Sequence, residues 1–116
     1  MTVNSRKAIK LSTLPQSKKL ITSFGNQATA DLFNGINSRD SRKIPSEITR
    51  KALNKLDILN AVEKLDELNS PPGNRLEALK GNLKGFYSIR INNQWRIIFQ
   101  GQNGNVSQVQ IIDYHD

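Results

Sequence analysis

The chain has 116 residues, one histidine, no cysteine and a formal charge of +7. This length suits one domain with a modest core, and the lack of cysteine excludes a disulfide framework, a thiolate nucleophile and a cysteine-ligated metal. No apolar run reaches the roughly 20 residues of a membrane span, so the sequence predicts a soluble, cytoplasmic protein with no membrane partner.

The positive charge is concentrated at the start of the chain. Residues 1–19 contain five basic residues and no acid, whereas residues 20–116 contain 12 basic and 10 acidic residues. Global charge is therefore weak evidence that the folded part binds nucleic acid. Residues 1–19 are polar and lack a sustained period, which predicts a flexible basic extension before a single domain at 20–116. The extension is interpreted as a start-site addition or as an electrostatic tether for RNA.

The first elements of the domain are short. A β-prone run at 20–24 predicts a strand, and residues 28–33 predict a brief helix that ends at Asn34-Gly35. Polar residues 37–43 indicate a loop, and Pro45 marks the start of the next helix.

An apolar stripe with helical spacing follows Pro45: Ile48, Ala52, Leu53, Leu56 and Leu59. Asn60 with Glu63 resembles an N-cap and its capping-box acid, and the stripe continues through Val62, Leu65 and Leu68. The pattern predicts two helices or one bent helix.

Beyond Ser70-Pro71-Pro72-Gly73-Asn74, which cannot stay helical, the apolar period changes to two. We predict four strands, near Arg75–Leu79, Phe86–Ile91, Trp95–Gln100 and Val106–Asp113. Turns are expected at Gly81–Gly85, Asn92–Gln94 and Gly101–Asn105.

Apolar matching predicts the register of the central hairpin. A three-residue loop at 92–94 places three apolar pairs on one face: Ile91 with Trp95, Ile89 with Ile97, and Tyr87 with Phe99. A two-residue loop would disrupt this face.

The same register sets Arg90 opposite Arg96 on the other face. Like charges opposed across a ladder are unfavourable by a few tenths of a kcal/mol or more unless an acid or anion lies between them. The pair therefore indicates a phosphate site. The alternative is that each arginine reaches solvent or pairs with Glu77 or Asp113.

The remaining chemistry is general acid and base catalysis. One histidine without a ligand cluster argues against a catalytic metal, and no Gly-rich loop precedes a helix to hold a nucleotide phosphate. RNA suits such a set because its 2′-hydroxyl is an internal nucleophile that needs only deprotonation, charge stabilisation and a protonated leaving group. His115 or Lys80 would move protons, while Arg90 and Arg96 would stabilise the transition state.

Four motifs resemble the HigB toxins, or plasmid maintenance system killer proteins, of the RelE/ParE superfamily. They are Arg75-Leu76-Glu77-Ala78-Leu79-Lys80-Gly81, Gly85-Phe86-Tyr87-Ser88-Ile89-Arg90-Ile91, Gln94-Trp95-Arg96-Ile97-Ile98-Phe99 and Asp113-Tyr114-His115. The resemblance implies an α+β, RelE-like (microbial-ribonuclease-like) fold. An N-terminal strand and two to three helices would pack on one face of a mainly antiparallel, twisted sheet.

The resemblance also implies a toxin of a type II toxin-antitoxin system. Such a toxin binds the A site of the 30S ribosomal subunit and cleaves mRNA there through a 2′,3′-cyclic phosphate, without metal or cofactor. Its partner would be a HigA-like helix-turn-helix antitoxin, through which alone it would reach operator DNA.

Carried over by position, the implied catalytic residues are His115, Tyr114, Asp113, Lys80 and Arg96. His115 would transfer the proton, Tyr114 would stack on a base and Asp113 would position its neighbours. The predicted RNA- and phosphate-binding residues are Arg75, Arg90 and Lys84.

One departure from the family concerns Glu77. Some HigB toxins have a histidine at this place, so the chain lacks a two-histidine acid–base pair and its cleavage is expected to be slow or differently organised. Two alternatives remain: a toxin that inhibits the ribosome or DNA gyrase by binding alone, and an inactive relative kept as a partner or repressor component.

Overall fold

A computed structural model of the chain describes residues 21–62, 64–69, 72–102 and 104–114. It has two α-helices, α1 (Gln27–Asn34) and α2 (Ser46–Leu59). The strands are β1 (Glu77–Ala78), β2 (Tyr87–Arg90), β3 (Trp95–Gln102) and β4 (Asn105–Asp113), and they form an antiparallel sheet in the order β1-β2-β3-β4. This α+β architecture confirms the predicted fold class. The basic extension at 1–19 lies outside the described residues.

Helix α1 has a defined cap at each end. The Asn26 side chain accepts a hydrogen bond from the Thr29 amide at 2.9 Å, satisfying a donor that the first turn leaves unpaired. Gly35 ends the helix at φ 76°, a left-handed conformation that glycine adopts without steric cost. The short helix predicted before Gly35 is confirmed.

Helix α2 begins after Pro45 and buries the predicted stripe. Ile48, Ala52, Leu56 and Leu59 are buried, and Leu53 is half-buried. The helix packs this side on the sheet, so the 3.6-residue spacing determines which face contacts the core.

The prediction of an α-helix after Asn60 is wrong. Residues Leu65–Asn69 form a 3₁₀ turn, and Glu63 lies outside the described residues. The Asn60 side-chain oxygen accepts a hydrogen bond from the Ile21 amide at 3.1 Å, so it ties the N-terminal segment down and does not cap a helix. Leu68 is nevertheless fully buried, as its place in the stripe predicted.

The predicted N-terminal strand is reduced to two parallel bridges, Ile21 with Val106 and Phe24 with Val109. Leu20 lies outside the described residues. Strand β4 carries a register shift here, and Gln108 has φ 54°. This bulge interrupts the edge of β4, so regular pairing with residues 21–24 does not propagate.

The central hairpin has the predicted three-residue loop. Tyr87 pairs with Phe99, Ile89 with Ile97 and Arg90 with Arg96. Strand β3 continues through Gln102, so the next turn is narrower than the predicted 101–105. Strand β1 is shorter than predicted, and Arg75 before it has φ 47°, which is incompatible with a strand.

A single apolar core lies between the helices and one face of the sheet. Leu56 and Leu59 of α2 and Ile89, Ile97 and Phe99 of the hairpin are fully buried there. The other face of the sheet is thereby left without a covering α-helix in the described part of the chain, and it carries the candidate site.

Candidate active site

The sheet register gathers polar side chains on the face away from the core. One row across the strands is Glu77, Ser88, Ile98 and Gln110, and the next is Arg90, Arg96 and Ile112. Directly paired residues share a face, so these two rows define the candidate site.

Arg96 is the centre of this face. It is only 8% exposed. One of its guanidinium nitrogens donates to the Ser88 hydroxyl at 3.3 Å and lies 3.6 Å from a carboxylate oxygen of Glu77. The guanidinium carbon lies 4.8 Å from the centre of the Tyr114 ring. Three neighbours therefore hold the charge in one position, as burial of an arginine requires.

Arg90 takes a different direction although it is the direct ladder partner of Arg96. Its guanidinium donates to the Asn93 side-chain oxygen in the hairpin loop. Arg96 instead pairs with Glu77, one of the two alternatives that the sequence left open. The two guanidinium groups thus have different partners, Ser88 and Glu77 for Arg96 and Asn93 for Arg90.

Glu77 occupies the short edge strand, and its side chain is 49% exposed. Its carboxylate can reach both solvent and the Arg96 guanidinium, which gives a proton acceptor beside a fixed positive charge. Ser88 is fully buried between Glu77 and Ile98, and sequence reasoning did not assign it a role. Strand alternation could have indicated its place: it lies between the core-facing residues Tyr87 and Ile89, so its side chain faces the other side of the sheet.

The residues at the end of β4 lie on both faces of the sheet. Tyr114 lies two positions beyond Ile112 and rests on Arg96, with its amide donating to the Gln94 carbonyl at 2.7 Å. Asp113 pairs with Trp95, so it belongs to the opposite face, where it accepts a hydrogen bond from the Gln94 side chain at 3.1 Å. His115 lies outside the described residues.

The other predicted basic residues flank the edge strand. Arg75 precedes β1, while Lys80 and Lys84 bound the 3₁₀ turn Gly81–Leu83 that follows it. All three are exposed. They therefore place exposed positive charge before and after the edge strand that carries Glu77.

Comparison with known proteins identifies the family of the chain. Residues 26–115 match the family model of the HigB-like toxin, described as the RelE-like toxin of the type II toxin-antitoxin system HigB. The chain belongs to the HigB-like toxin family.

Two relatives extend this result. Toxin HigB-1 of Vibrio cholerae serotype O1 is 52% identical over 63 residues, which cover 54% of this chain and 66% of that toxin. The alignment thus spans just under two thirds of the Vibrio toxin. Endoribonuclease HigB of Proteus vulgaris is 30% identical over 97 residues, covering 83% of this chain and all of that protein.

Among solved structures, the YoeB-YefM complex from Staphylococcus aureus covers 86% of this chain at 22% identity, with a TM-score of 0.47. The family assignment rests on the sequence matches and not on this looser likeness.

For this HigB-like toxin, the described residues contain no group of three or more His, Cys, Asp and Glu side chains arranged to hold a metal ion. No helix in the described part of the chain combines the length and apolarity needed to cross a bilayer.

Proposed function

We propose that this HigB-like toxin is a ribosome-dependent mRNA endonuclease that cuts in the A site by 2′-hydroxyl attack, without a metal. The chain belongs to a toxin family, and its Proteus relative in that family is an endoribonuclease. The observation that carries the proposal is the buried Arg96, held on the sheet face away from the core, beside a carboxylate and an aromatic ring.

Arg96 suits the stabilisation of a phosphorane. Its guanidinium is preorganised by Ser88 and Tyr114, so little reorganisation is needed when negative charge develops on a phosphate oxygen. The Glu77 contact is long for a hydrogen bond at 3.6 Å, which leaves guanidinium donors for an incoming phosphate.

Glu77 is the proposed base that replaces the family histidine. Its carboxylate takes the proton of the 2′-hydroxyl, and the O2′ attacks phosphorus while Arg96 stabilises the extra charge. The bond to the 5′-oxygen then breaks, and that oxygen takes a proton from His115. The products are a 2′,3′-cyclic phosphate and a 5′-hydroxyl.

The remaining predicted residues would bind the strand. Tyr114 is proposed to stack on a base, and Asp113 to fix the end of β4 through Gln94. Lys80, Lys84 and Arg75 would neutralise phosphates along the edge of the sheet, with Arg90 at the hairpin end.

The proposed partners are a HigA-like helix-turn-helix antitoxin, the 30S A site and mRNA. Operator DNA would be reached only through the antitoxin, and the working compartment would be the cytoplasm. Family membership and the RNA chemistry proposed above support these assignments.

The test is cleavage of mRNA on programmed ribosomes, at the Mg²⁺ concentration that keeps the ribosome assembled, with naked RNA as a control. Cuts in the A-site codon that need the ribosome are expected. Arg96→Gln should lower the cleavage rate about 10²- to 10³-fold, the cost of removing one oxyanion donor. Glu77→Gln and His115→Ala should each lower it about 10²- to 10⁴-fold.

Arg42→Gln is the control, because it removes an exposed charge that belongs to neither row of the candidate site, and it should cleave like the wild type. Full activity in Glu77→Gln would exclude this carboxylate as the base. Growth arrest by a wild type that leaves mRNA intact would replace the enzyme with an inhibitor that acts by binding the ribosome or DNA gyrase.

A further inference from the structure

A cleft at the end of the β2–β3 hairpin brings Arg90 together with two lysines of α2 that have no role in the function proposed above. It has a volume of about 460 Å³. Helix α2 forms one side and the hairpin loop the other, with these lining residues: Lys51, Lys55, Gly73, Arg90, Ile91, Asn92 and Asn93. Three of these described residues are cationic and none is acidic.

The cations are held close together. Lys51 and Lys55 are one helical turn apart, a spacing at which like charges repel. Burial, and secondarily the charge of Lys51, lower the pKa of Lys55. The Lys55 ammonium donates to the side-chain oxygen of Asn74, a fully buried residue, so it stays at the cleft and does not extend into solvent.

Arg90 is fixed on the opposite wall by its bond to Asn93. The cleft therefore holds positive charge on two separate elements, α2 and the hairpin, and its remaining polar lining consists of amides. Bringing like charges together without a counter-charge is electrostatically unfavourable, and a bound anion relieves the cost.

We propose that this cleft binds a phosphate group of an RNA backbone, outside the nucleotide that is cut. Cationic donors on two walls fit the several oxygens of a phosphate, and Arg90 adds a planar guanidinium. Because Arg90 is the ladder partner of Arg96, a strand bound at Arg96 can continue over the hairpin end to the cleft. The choice of RNA rests on the proposed function, whereas the choice of phosphate rests on the cleft itself.

The first experiment titrates the full chain with inorganic phosphate and follows backbone amide signals by NMR. Signals of Gly73, Asn92 and Asn93 are expected to shift. The second measures, by fluorescence anisotropy, the binding of a single-stranded 2′-O-methyl oligonucleotide, which lacks the nucleophile and cannot be cut. Binding is thus tested independently of cleavage, so failure here is distinguishable from failure of the cleavage test.

The informative variant is Lys51→Gln with Lys55→Gln. It should weaken oligonucleotide binding about tenfold at low salt and make the salt dependence shallower by about 0.7, the value for one single-strand phosphate contact. The charge-matched control combines Arg39→Gln with Arg50→Gln, two exposed residues that do not line the cleft. This control variant should bind the oligonucleotide with the same salt dependence as the wild type.

The double variant also removes the Lys55–Asn74 bond, which could lower stability. The single variant Lys51→Gln keeps that bond, because Lys51 is exposed on α2 and takes no part in it. It should keep the unfolding midpoint of the wild type and still weaken binding severalfold. Equal weakening in the cleft variant and its control would overturn the proposal, as would no weakening in either. If phosphate shifts the cleft signals after either of these two results, the ligand is a free phosphate and not an RNA backbone.

Discussion

Asp31 shows how one side chain organises a segment. It is 7% exposed, and its two carboxylate oxygens accept hydrogen bonds from Ser38 at 2.6 Å and Gln27 at 2.7 Å. The bond from Ser38, and then that from Gln27, lower the pKa of Asp31 below its ordinary value of 3.8. The carboxylate thus joins α1 to the loop before α2, and its charge is part of the folded state.

The sign of the pH effect follows from linkage. A carboxyl group with a depressed pKa in the folded state stabilises fully above its unfolded pKa, and this contribution is lost as pH falls through the folded pKa. Asp31→Asn should therefore unfold at lower urea concentration than the wild type at neutral pH, and the difference should shrink as the pH falls below 3.8 and through the folded-state pKa of Asp31. Urea unfolding at several pH values measures this.

Asp40→Asn is the matched control, because Asp40 forms only an exposed pair with Lys43 and such pairs contribute little. A gap between Asp31→Asn and the wild type that stays constant over this pH range would show that Asp31 acts through its shape and not through its charge.

At the scale of elements, Thr29 connects α1 to β4. It is fully buried, and its hydroxyl accepts a hydrogen bond from the Ile111 amide at 2.8 Å while it donates to the capping Asn26 at 2.7 Å. Thr29→Val keeps the shape but leaves a buried strand amide without its acceptor. We expect it to lower the free energy of unfolding by about 1–3 kcal/mol, measured by urea denaturation.

Thr29→Ser retains the hydroxyl and loses one methyl group, so it should be destabilised less than Thr29→Val. The reverse order would mean that methyl packing, and not the bond to Ile111, joins the helix to the strand.

The elements that the sequence predicted correctly are those specified by local pattern. The hairpin register was predictable because a one-residue slip would have moved Ile89 and Ile97 out of the core. The helix expected after Asn60 was not, because its capping oxygen is engaged by Ile21, 39 residues away. The bulge at Gln108 had no signal in the residue types.

The same limit applies to the candidate site. Alternation placed Arg90 and Arg96 on one face, and the structure agrees. Which arginine is buried depends on hydrogen-bond partners, Ser88 and Glu77 for one and Asn93 for the other, and the sequence does not rank such partners. The sequence did not predict that the lysines of α2 line a cleft, since their approach to the hairpin is a tertiary contact.

At the scale of the whole molecule, one core supports the site. Leu56 is fully buried where α2 packs with the hairpin residues Ile97 and Phe99. The stability of a single domain is only about 5–15 kcal/mol, so one large cavity removes much of it. Leu56→Ala should lower the free energy of unfolding by about 2–5 kcal/mol, measured by urea denaturation.

Leu56→Ala and Arg96→Gln should then both reduce toxicity, but for different reasons. The core variant should lose folded protein in the cell, yet its purified folded fraction should keep the cleavage rate of the wild type. The arginine variant should keep its cellular level and lose the rate. Ile58→Ala, a truncation on the exposed side of the same helix at 36% exposure, should change neither quantity. If the folded fraction of Leu56→Ala cleaves slowly, then the core sets the geometry at Arg96 and does more than keep the sheet folded.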